Sequence, residues 1–385
     1  MPWLSAELDR LRSAGLLRTR RRVVSLPEGW CQLDDRRLRN MASNDYLNLA
    51  HDPRLKEAAQ KALMECGVGS TASALVTGRS PYHEALEQRL ARFEGQDSAV
   101  LFPSGYAANV GTITALIGNE DVIYCDRLNH ASLIDGCRLS GAKLRVYRHT
   151  DLDKLKNALG KATGFRRRWI VTDSVFSMDG DAAPLKELAD LAEQFEACLF
   201  VDEAHATGLF GTHGRGIAER DGAEDRVAVR VGTLSKALGT LGGFVAGPSE
   251  LTDWLWNQAR SQMFSTALPP AVCAAACAAV EIVEQEPERR RHVLALAETL
   301  RTQLLELGLS VPERVIGPIV PILFREVDQT LTVARQLEEN GVLVAAIRPP
   351  TVPQGTSRIR ITLTAAHNRE DVSNIIKILA SSKGR

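Results

Sequence analysis

The sequence has no run approaching the roughly 20 apolar residues that a membrane-spanning helix needs. Its longest candidate, 271–280, is rich in alanine and closed by Glu281, the pattern of a buried helix. Neither charge is in excess: 47 basic residues face 47 acidic ones, so nothing global draws the chain to nucleic acid or to an anionic membrane. Seven cysteines are present without one C-x-x-C pair, and no histidine stands close in sequence to Cys273 and Cys277, which lie one helical turn apart. That spacing argues against a metal centre or a disulfide frame and predicts small core residues in a reducing cytoplasm. The amino terminus carries Glu7 and Asp9 where a secretion signal is apolar, and it reads as an amphipathic helix. Internal repeats, low-complexity tracts and long linkers are also missing.

What is present is length and alternation. A chain of 385 residues suffices for one large α/β domain and a smaller one. Short β-rich runs at 99–102, 121–125, 143–147, 169–173, 198–202, 227–232 and 243–246 alternate with amphipathic stretches, such as the one after Pro184. Strand, helix, strand in succession predicts an α/β fold with a mainly parallel sheet covered by helices on both faces. Past about 275 the pattern becomes one long helix from 271 to about 307, then short strands near 320–324, 342–346 and 358–362, and a last helix from Arg369. The predicted division is an arm over 1–45, a large domain over 46–275 and a smaller α+β domain over 276–385.

Ligands of open α/β sheets bind beyond the carboxyl ends of the strands. Three successive strands here run into polar side chains: the first into Ser177, the second into Asp202 and His205, the third into Thr233-Leu-Ser-Lys236. Each is ambiguous alone. A strand-end aspartate often caps a helix, Asp-x-x-His is half a metal site, and Ser235-Lys236 suits a solvated loop or a serine–lysine hydrolase. Together they meet the needs of pyridoxal 5'-phosphate (PLP). That cofactor requires a lysine for the imine and for proton transfer, and a carboxylate to keep the pyridine nitrogen protonated. It also requires hydrogen bonds to the 3'-oxygen. Ser104-Gly105-Tyr106 ends one strand and opens a helix, which offers free N–H groups to a phosphate, although a plain N-cap serine explains the same residues.

A wider set of segments resembles a known family. Ser43-Asn-Asp-Tyr-Leu47, Gly69-Ser-Thr-Ala-Ser73, Ser104-Gly-Tyr-Ala-Ala-Asn109, Asn129-His-Ala-Ser132 and Val175-Phe-Ser-Met-Asp-Gly-Asp181 are similar to the α-oxoamine synthases. So are Val201-Asp-Glu-Ala-His205, Gly214-Arg-Gly216, Thr233-Leu-Ser-Lys236 and Phe264-Ser-Thr-Ala-Leu-Pro-Pro270, and together the resemblance runs from about residue 20 to 370. The family comprises fold-type I PLP enzymes that join an amino acid to an acyl thioester, most of them releasing CO2. The resemblance implies Lys236 as Schiff-base lysine and base, Asp202 as partner of the pyridinium, and His205 and Ser177 near the 3'-oxygen. It implies His130 stacked on the ring, phosphate contacts from Ser104, Gly105, Tyr106 and Thr233, and Ser265 and Thr266 reaching the phosphate from the partner subunit of a homodimer. Two departures stand out: Glu203 and Ala206 replace an aspartate and a glycine of the usual Asp-Asp-Ala-His-Gly-Thr-Gly.

The carboxyl-terminal segment Ala346-Ile-Arg-Pro-Pro-Thr-Val-Pro-Gln-Gly-Thr-Ser-Arg-Ile-Arg360 narrows the choice. A guanidinium grips a carboxylate with two parallel hydrogen bonds, and Arg360 resembles the family's ligand for the amino-acid carboxylate. Arg348 and Thr351 lie on a Pro-rich loop, Asn44 is a candidate substrate contact, and Arg21 belongs to a basic cluster with Arg18, Arg20 and Arg22 that suits an acyl donor or plain solvent. His367 reads as structural. The loop resembles that of the biotin-pathway member, which implies L-alanine and a pimeloyl thioester on CoA or acyl carrier protein as substrates. The nearest alternatives are the member that joins glycine to acetyl-CoA, which the 129–136 segment resembles slightly more, and a non-catalytic regulatory subunit, against which Lys236 argues.

Overall fold

The computed structural model describes residues 1–382. After the helix Pro2–Ser13, strands β1 (Val23–Leu26), β2 (Trp30–Leu33) and β3 (Arg36–Asn40) form an antiparallel meander. The alternating region supplies β4 (Ser98–Phe102), β5 (Val122–Asp126), β6 (Lys143–Tyr147), β7 (Arg168–Asp173), β8 (Ala197–Asp202), β9 (Val229–Thr233) and β10 (Gly243–Gly247). These seven form one sheet in the order β4-β10-β9-β8-β7-β5-β6. Strands β9, β8, β7, β5 and β6 are mutually parallel, and β10 runs antiparallel to both of its neighbours.

Every residue of β5, β9 and β10 is buried. Since successive side chains point to opposite faces, uniform burial means that both faces are covered. Val171 and Phe200 of the sheet pack with Ile113 of the helix Gly105–Leu116 and Leu133 of the helix Ala131–Leu139 in one apolar cluster. The expected mainly parallel α/β sheet is what forms.

The chain divides into two compact units. The second, Leu49–Ser177 with Asp181–Arg290, contains the seven-stranded sheet. The first comprises Met1–Asn48, Met178–Gly180 and the chain from Arg291 onward. Its later strands are β11 (Ile319–Arg325), β12 (Val342–Leu343), β13 (Ala345–Ile347) and β14 (Ser357–Thr362), and β11, β14 and β13 form an antiparallel sheet in that order. Among the described residues no helix is long and apolar enough to cross a membrane.

Two details differ from the sequence expectation. The single helix from 271 is two, Pro270–Gln285 and Pro287–Glu306. Pro287 has no N–H to give and disfavours helical backbone before it, and Glu286 accordingly turns out to φ −119°, ψ 61°. The single strand at 342–346 is also two: β12 pairs in parallel with β3, whereas β13 pairs with β14. One extended run thus serves two sheets, a choice set by its partners.

The two family departures also find their setting. Ala206 lies outside the left-handed region and is fully buried. Glu203, only 2% exposed, turns back from the end of β8 to cap the short helix Ile217–Arg220, accepting hydrogen bonds from Ile217 N (3.0 Å) and Ala218 N (2.8 Å). Glu203→Ala leaves two buried N–H groups without acceptors. It is expected to lower stability by about 1–3 kcal/mol in urea unfolding; an unchanged midpoint would refute the capping role.

Candidate active site

The carboxyl ends of the central strands open on a cleft of about 200 Å3, and all its lining residues belong to the second unit. Apolar runs such as Cys198-Leu-Phe-Val201 bury β8 and carry Asp202 to its end. There Asp202 Oδ1 accepts from Ala204 N (2.8 Å) and Oδ2 from Asn109 Nδ2 (2.6 Å). Its neighbour in register on β7 is Asp173, likewise buried. Burial first, and the charge of Asp202 second, raise the Asp173 pKa well above the carboxylate range.

His130 follows β5 and is exposed along the cleft. Its backbone N donates to Asp173 Oδ2 (2.6 Å). Asn129 beside it donates to Val171 O (2.7 Å) and accepts from Asp173 N (3.0 Å), tying this loop to β7. Lys236, half-buried, lies in the turn after β9. Leu234 N donates to Gly242 O (3.0 Å) and Gly239 N to Lys236 O (2.9 Å), closing the turn. Gly239 has φ +62° and a Cβ there would come 2.5 Å from Ala50 N, so the Lys236 turn needs a glycine at that position.

Opposite lies the start of the helix Gly105–Leu116. Ser104 Oγ accepts from Ala107 N (3.1 Å), and the N-cap reading of Ser104 is thus realised. Ala108 N bonds Ser104 O, so Gly105 and Tyr106 are the first-turn residues whose N–H groups have no intrahelical acceptor. A Cβ on Gly105 would come 3.2 Å from Thr233 Oγ1, so the absent side chain keeps this corner open to an anion. His205 also lines the cleft.

Eight of the predicted residues are thus assembled in one cleft: Ser104, Gly105, Tyr106, His130, Asp202, His205, Thr233 and Lys236. Ser177 is half-buried beyond its lining, in a loop closed by a bridge between Val175 and Ala182. Ser265 and Thr266 line a separate cavity of about 20 Å3, where Thr266 pairs with Ser73. All five predicted substrate residues, Arg21, Asn44, Arg348, Thr351 and Arg360, lie in the first unit. Arg360 Nη2 donates to Asn44 Oδ1 (3.2 Å), and burial lowers the Arg360 pKa. Arg348 Nη2 donates to Leu17 O (3.1 Å), and Thr351 Oγ1 accepts from Arg18 (2.9 Å). Arg21 is ion-paired with Glu338 (2.7 Å). His367 Nδ1 accepts from Thr364 N (2.8 Å), and burial takes its pKa down to about 4, in keeping with a structural role.

Sequence reasoning passed over Asn109, Ser132 and Asp173. The first two stand inside motifs already singled out, but their service to another side chain is visible only in three dimensions. The donor set suits PLP: a buried, hydrogen-bonded carboxylate, a lysine, and an open helix amino terminus.

Residues 36–379 match the family model described as aminotransferase class I and II. The chain belongs to that family. An 8-amino-7-oxononanoate synthase of Anaeromyxobacter dehalogenans (strain 2CP-1) is 49% identical over 99% of this chain and 95% of its own length. The 8-amino-7-oxononanoate synthase 2 of Bacillus subtilis (strain 168) is 44% identical over 98% and 97%. A solved serine palmitoyltransferase from S. paucimobilis, with a bound PLP–myriocin aldimine, superposes with a TM-score of 0.94 at 29% identity, covering 99% of this chain and 96% of that one. Within the aminotransferase family the chain is an α-oxoamine synthase, a PLP-dependent acyltransferase.

A half-buried histidine pairs with Asp181, which lies in the loop that carries Ser177. His149 Nδ1 pairs with Asp126 Oδ1 (3.0 Å) and Nε2 with Asp181 Oδ2 (2.8 Å), and its ring meets Phe176 edge-on at 4.4 Å. Burial alone lowers its pKa, and the two carboxylates overcome this and push it up to about 10. A folded pKa raised above the unfolded 6.5 gives stability that is full below pH 6.5 and is lost as pH rises through about 10. The loss is on the order of 3–5 kcal/mol. Urea midpoints of wild type and His149→Gln are expected to converge between pH 6 and pH 10; a gap that stays constant would refute this.

Proposed function

We propose that the chain condenses L-alanine with a pimeloyl thioester, carried on CoA or on acyl carrier protein. The products are 8-amino-7-oxononanoate, CO2 and the free thiol, a step of biotin biosynthesis. The observation that carries the reading is the cleft in which Lys236 lines the same space as an Asp202 held by Asn109. The choice of substrates is supported by the relatives named 8-amino-7-oxononanoate synthase and by the Arg348 loop.

Bound PLP supplies an electron sink for negative charge at the amino acid's α-carbon. Asp202 holds a proton on the pyridine nitrogen by its own charge, and Asn109 keeps that carboxylate oriented. The Ser104 and Thr233 hydroxyls and the N–H groups of Gly105 and Tyr106 bind the phosphate. Ser177 and His205 donate to the 3'-oxygen. Lys236 Nζ takes the α-proton of alanine and later returns a proton to the product. His130, which lines the cleft, would pack against the bound cofactor and donate to the thioester oxygen as charge grows there. Arg360, steadied by Asn44, grips the α-carboxylate until it leaves as CO2, and Arg348, Thr351 and Arg21 serve the acyl donor.

The working form is proposed to be a homodimer in which Ser265 and Thr266 complete the partner's phosphate site. Supporting this, Phe264 beside them is 69% exposed and Val76, near Ser73, is 75% exposed, apolar surface that a partner would cover.

Turnover of L-alanine with pimeloyl-CoA and with pimeloyl-acyl carrier protein is expected to exceed that of glycine with acetyl-CoA. Preference for the last pair would instead indicate a 2-amino-3-ketobutyrate CoA ligase. Lys236→Ala is expected to abolish both turnover and the visible absorbance of the lysine-linked cofactor; turnover that survives would exclude Lys236 as the base. Arg360→Lys loses bidentate recognition and is expected to raise the KM for alanine about tenfold or more. An unchanged KM would remove Arg360 from the carboxylate site.

A further inference from the structure

A chain of buried polar contacts runs from Asp202 to His130. Asn109 is 1% exposed and Ser132 fully buried. Asn109 Nδ2 donates to Asp202 Oδ2 (2.6 Å) and also to Ser132 Oγ (2.9 Å). Ser132 Oγ lies 2.8 Å from His130 Nδ1, and Ser132 N points at the same nitrogen from 3.3 Å.

The direction of each bond follows from what each group can do. An ionised carboxylate only accepts, so the Asn109 amide turns its NH2 toward Asp202. The second hydrogen of that NH2 fills a lone pair of Ser132 Oγ, which leaves the serine O–H free to donate onward. A backbone N–H can only donate, so Nδ1, which receives the Ser132 N–H, is an acceptor. The serine O–H then has the same nitrogen as its acceptor.

We propose that Asn109 and Ser132 are positioning residues that link Asp202 to His130 and hold its imidazole as the neutral Nε2–H tautomer, a hydrogen-bond donor on the exposed, cleft side of the ring. The inference rests on the reading of this cleft as the cofactor and substrate site. It deepens that reading by naming which nitrogen of His130 carries the proton and why.

Charge around the ring agrees. Desolvation lowers the His130 pKa against the opposing charges of Asp202 and Asp135, so the ring is neutral near pH 7.5. A neutral ring has one proton to place, and the bonds to Nδ1 place it on Nε2. The linkage runs both ways: with Asp202 protonated, the Asn109 amide is free to turn over. Ser132 Oγ would then lose its donor.

The test reads the tautomer directly. In holoenzyme with 15N-labelled histidine, the His130 signals are those lost in His130→Asn. At pH 7.5 wild type is expected to show an unprotonated Nδ1 and a protonated Nε2; a protonated Nδ1 would overturn the proposal. Ser132→Ala keeps the fold's small residue and removes the hydroxyl. It is expected to populate both tautomers and to lower kcat about tenfold, with the KM for alanine within about twofold. A pure Nε2–H ring and wild-type kcat in that variant would remove Ser132 from the role. In Asn109→Ala both tautomers are expected, together with a shifted pH dependence of cofactor absorbance, because Asp202 loses its donor as well; neither change occurring would remove Asn109. The tautomer is read without substrate, so it stands or falls apart from the assignment of alanine and the pimeloyl thioester.

Discussion

A carboxylate buried at the end of a parallel strand is costly to ionise unless hydrogen bonds replace its lost water. Asp202 meets that condition through Ala204 N on one oxygen and the Asn109 amide on the other. The helix that carries Asn109 is the one that begins at Ser104. Asn109 stands four positions after Gly105, about 6 Å along the helix axis. One element therefore sets the spacing between an anion site at its amino terminus and a fixed negative charge one turn further in. Under the proposed function those two features would serve the phosphate and the pyridine nitrogen of PLP.

The sheet contributes register. Asp173 and Asp202 stand side by side because β7 and β8 pair in parallel without offset at their ends. Burial first, and the neighbouring Asp202 second, raise the Asp173 pKa, while Asn109 donates to Asp202, the other member of the pair. Asp173 in turn accepts from His130 N, which anchors the start of the helix Ala131–Leu139. The carboxylates, the amide, the serine and the imidazole thus make one polar cluster, in which moving a proton on one member changes which bonds the next can form. His149, clamped between Asp126 and Asp181, plays a comparable part for the loop bearing Ser177, with ionic in place of neutral contacts.

Much of this is legible in the sequence alone. Hydrophobic alternation marked all seven strands of the large sheet to within two residues, since burial on both faces leaves continuous apolar runs. The strand-end positions of Asp202, His205 and Lys236 placed them on one rim, and the structure gathers them there. The failures have local causes. Helical periodicity continues across Pro287 because side-chain spacing is indifferent to the one missing N–H. The split of 342–346 into β12 and β13 left no trace in composition because both halves are extended and differ only in partner.

By itself, the sequence determined the order of strands and helices, the residue types needed for PLP and their arrival at successive strand ends. Those depend on local periodicity and on short motifs, which a linear chain displays. Only the tertiary structure decided that Asn109 turns to Asp202, that the Asp173 pKa is raised, that Glu203 caps the helix Ile217–Arg220 and that Arg21 pairs with Glu338. Each of these is a contact between residues far apart in sequence. Its sign depends on distance, burial and which donor faces which acceptor, and none of these exists until the chain has folded.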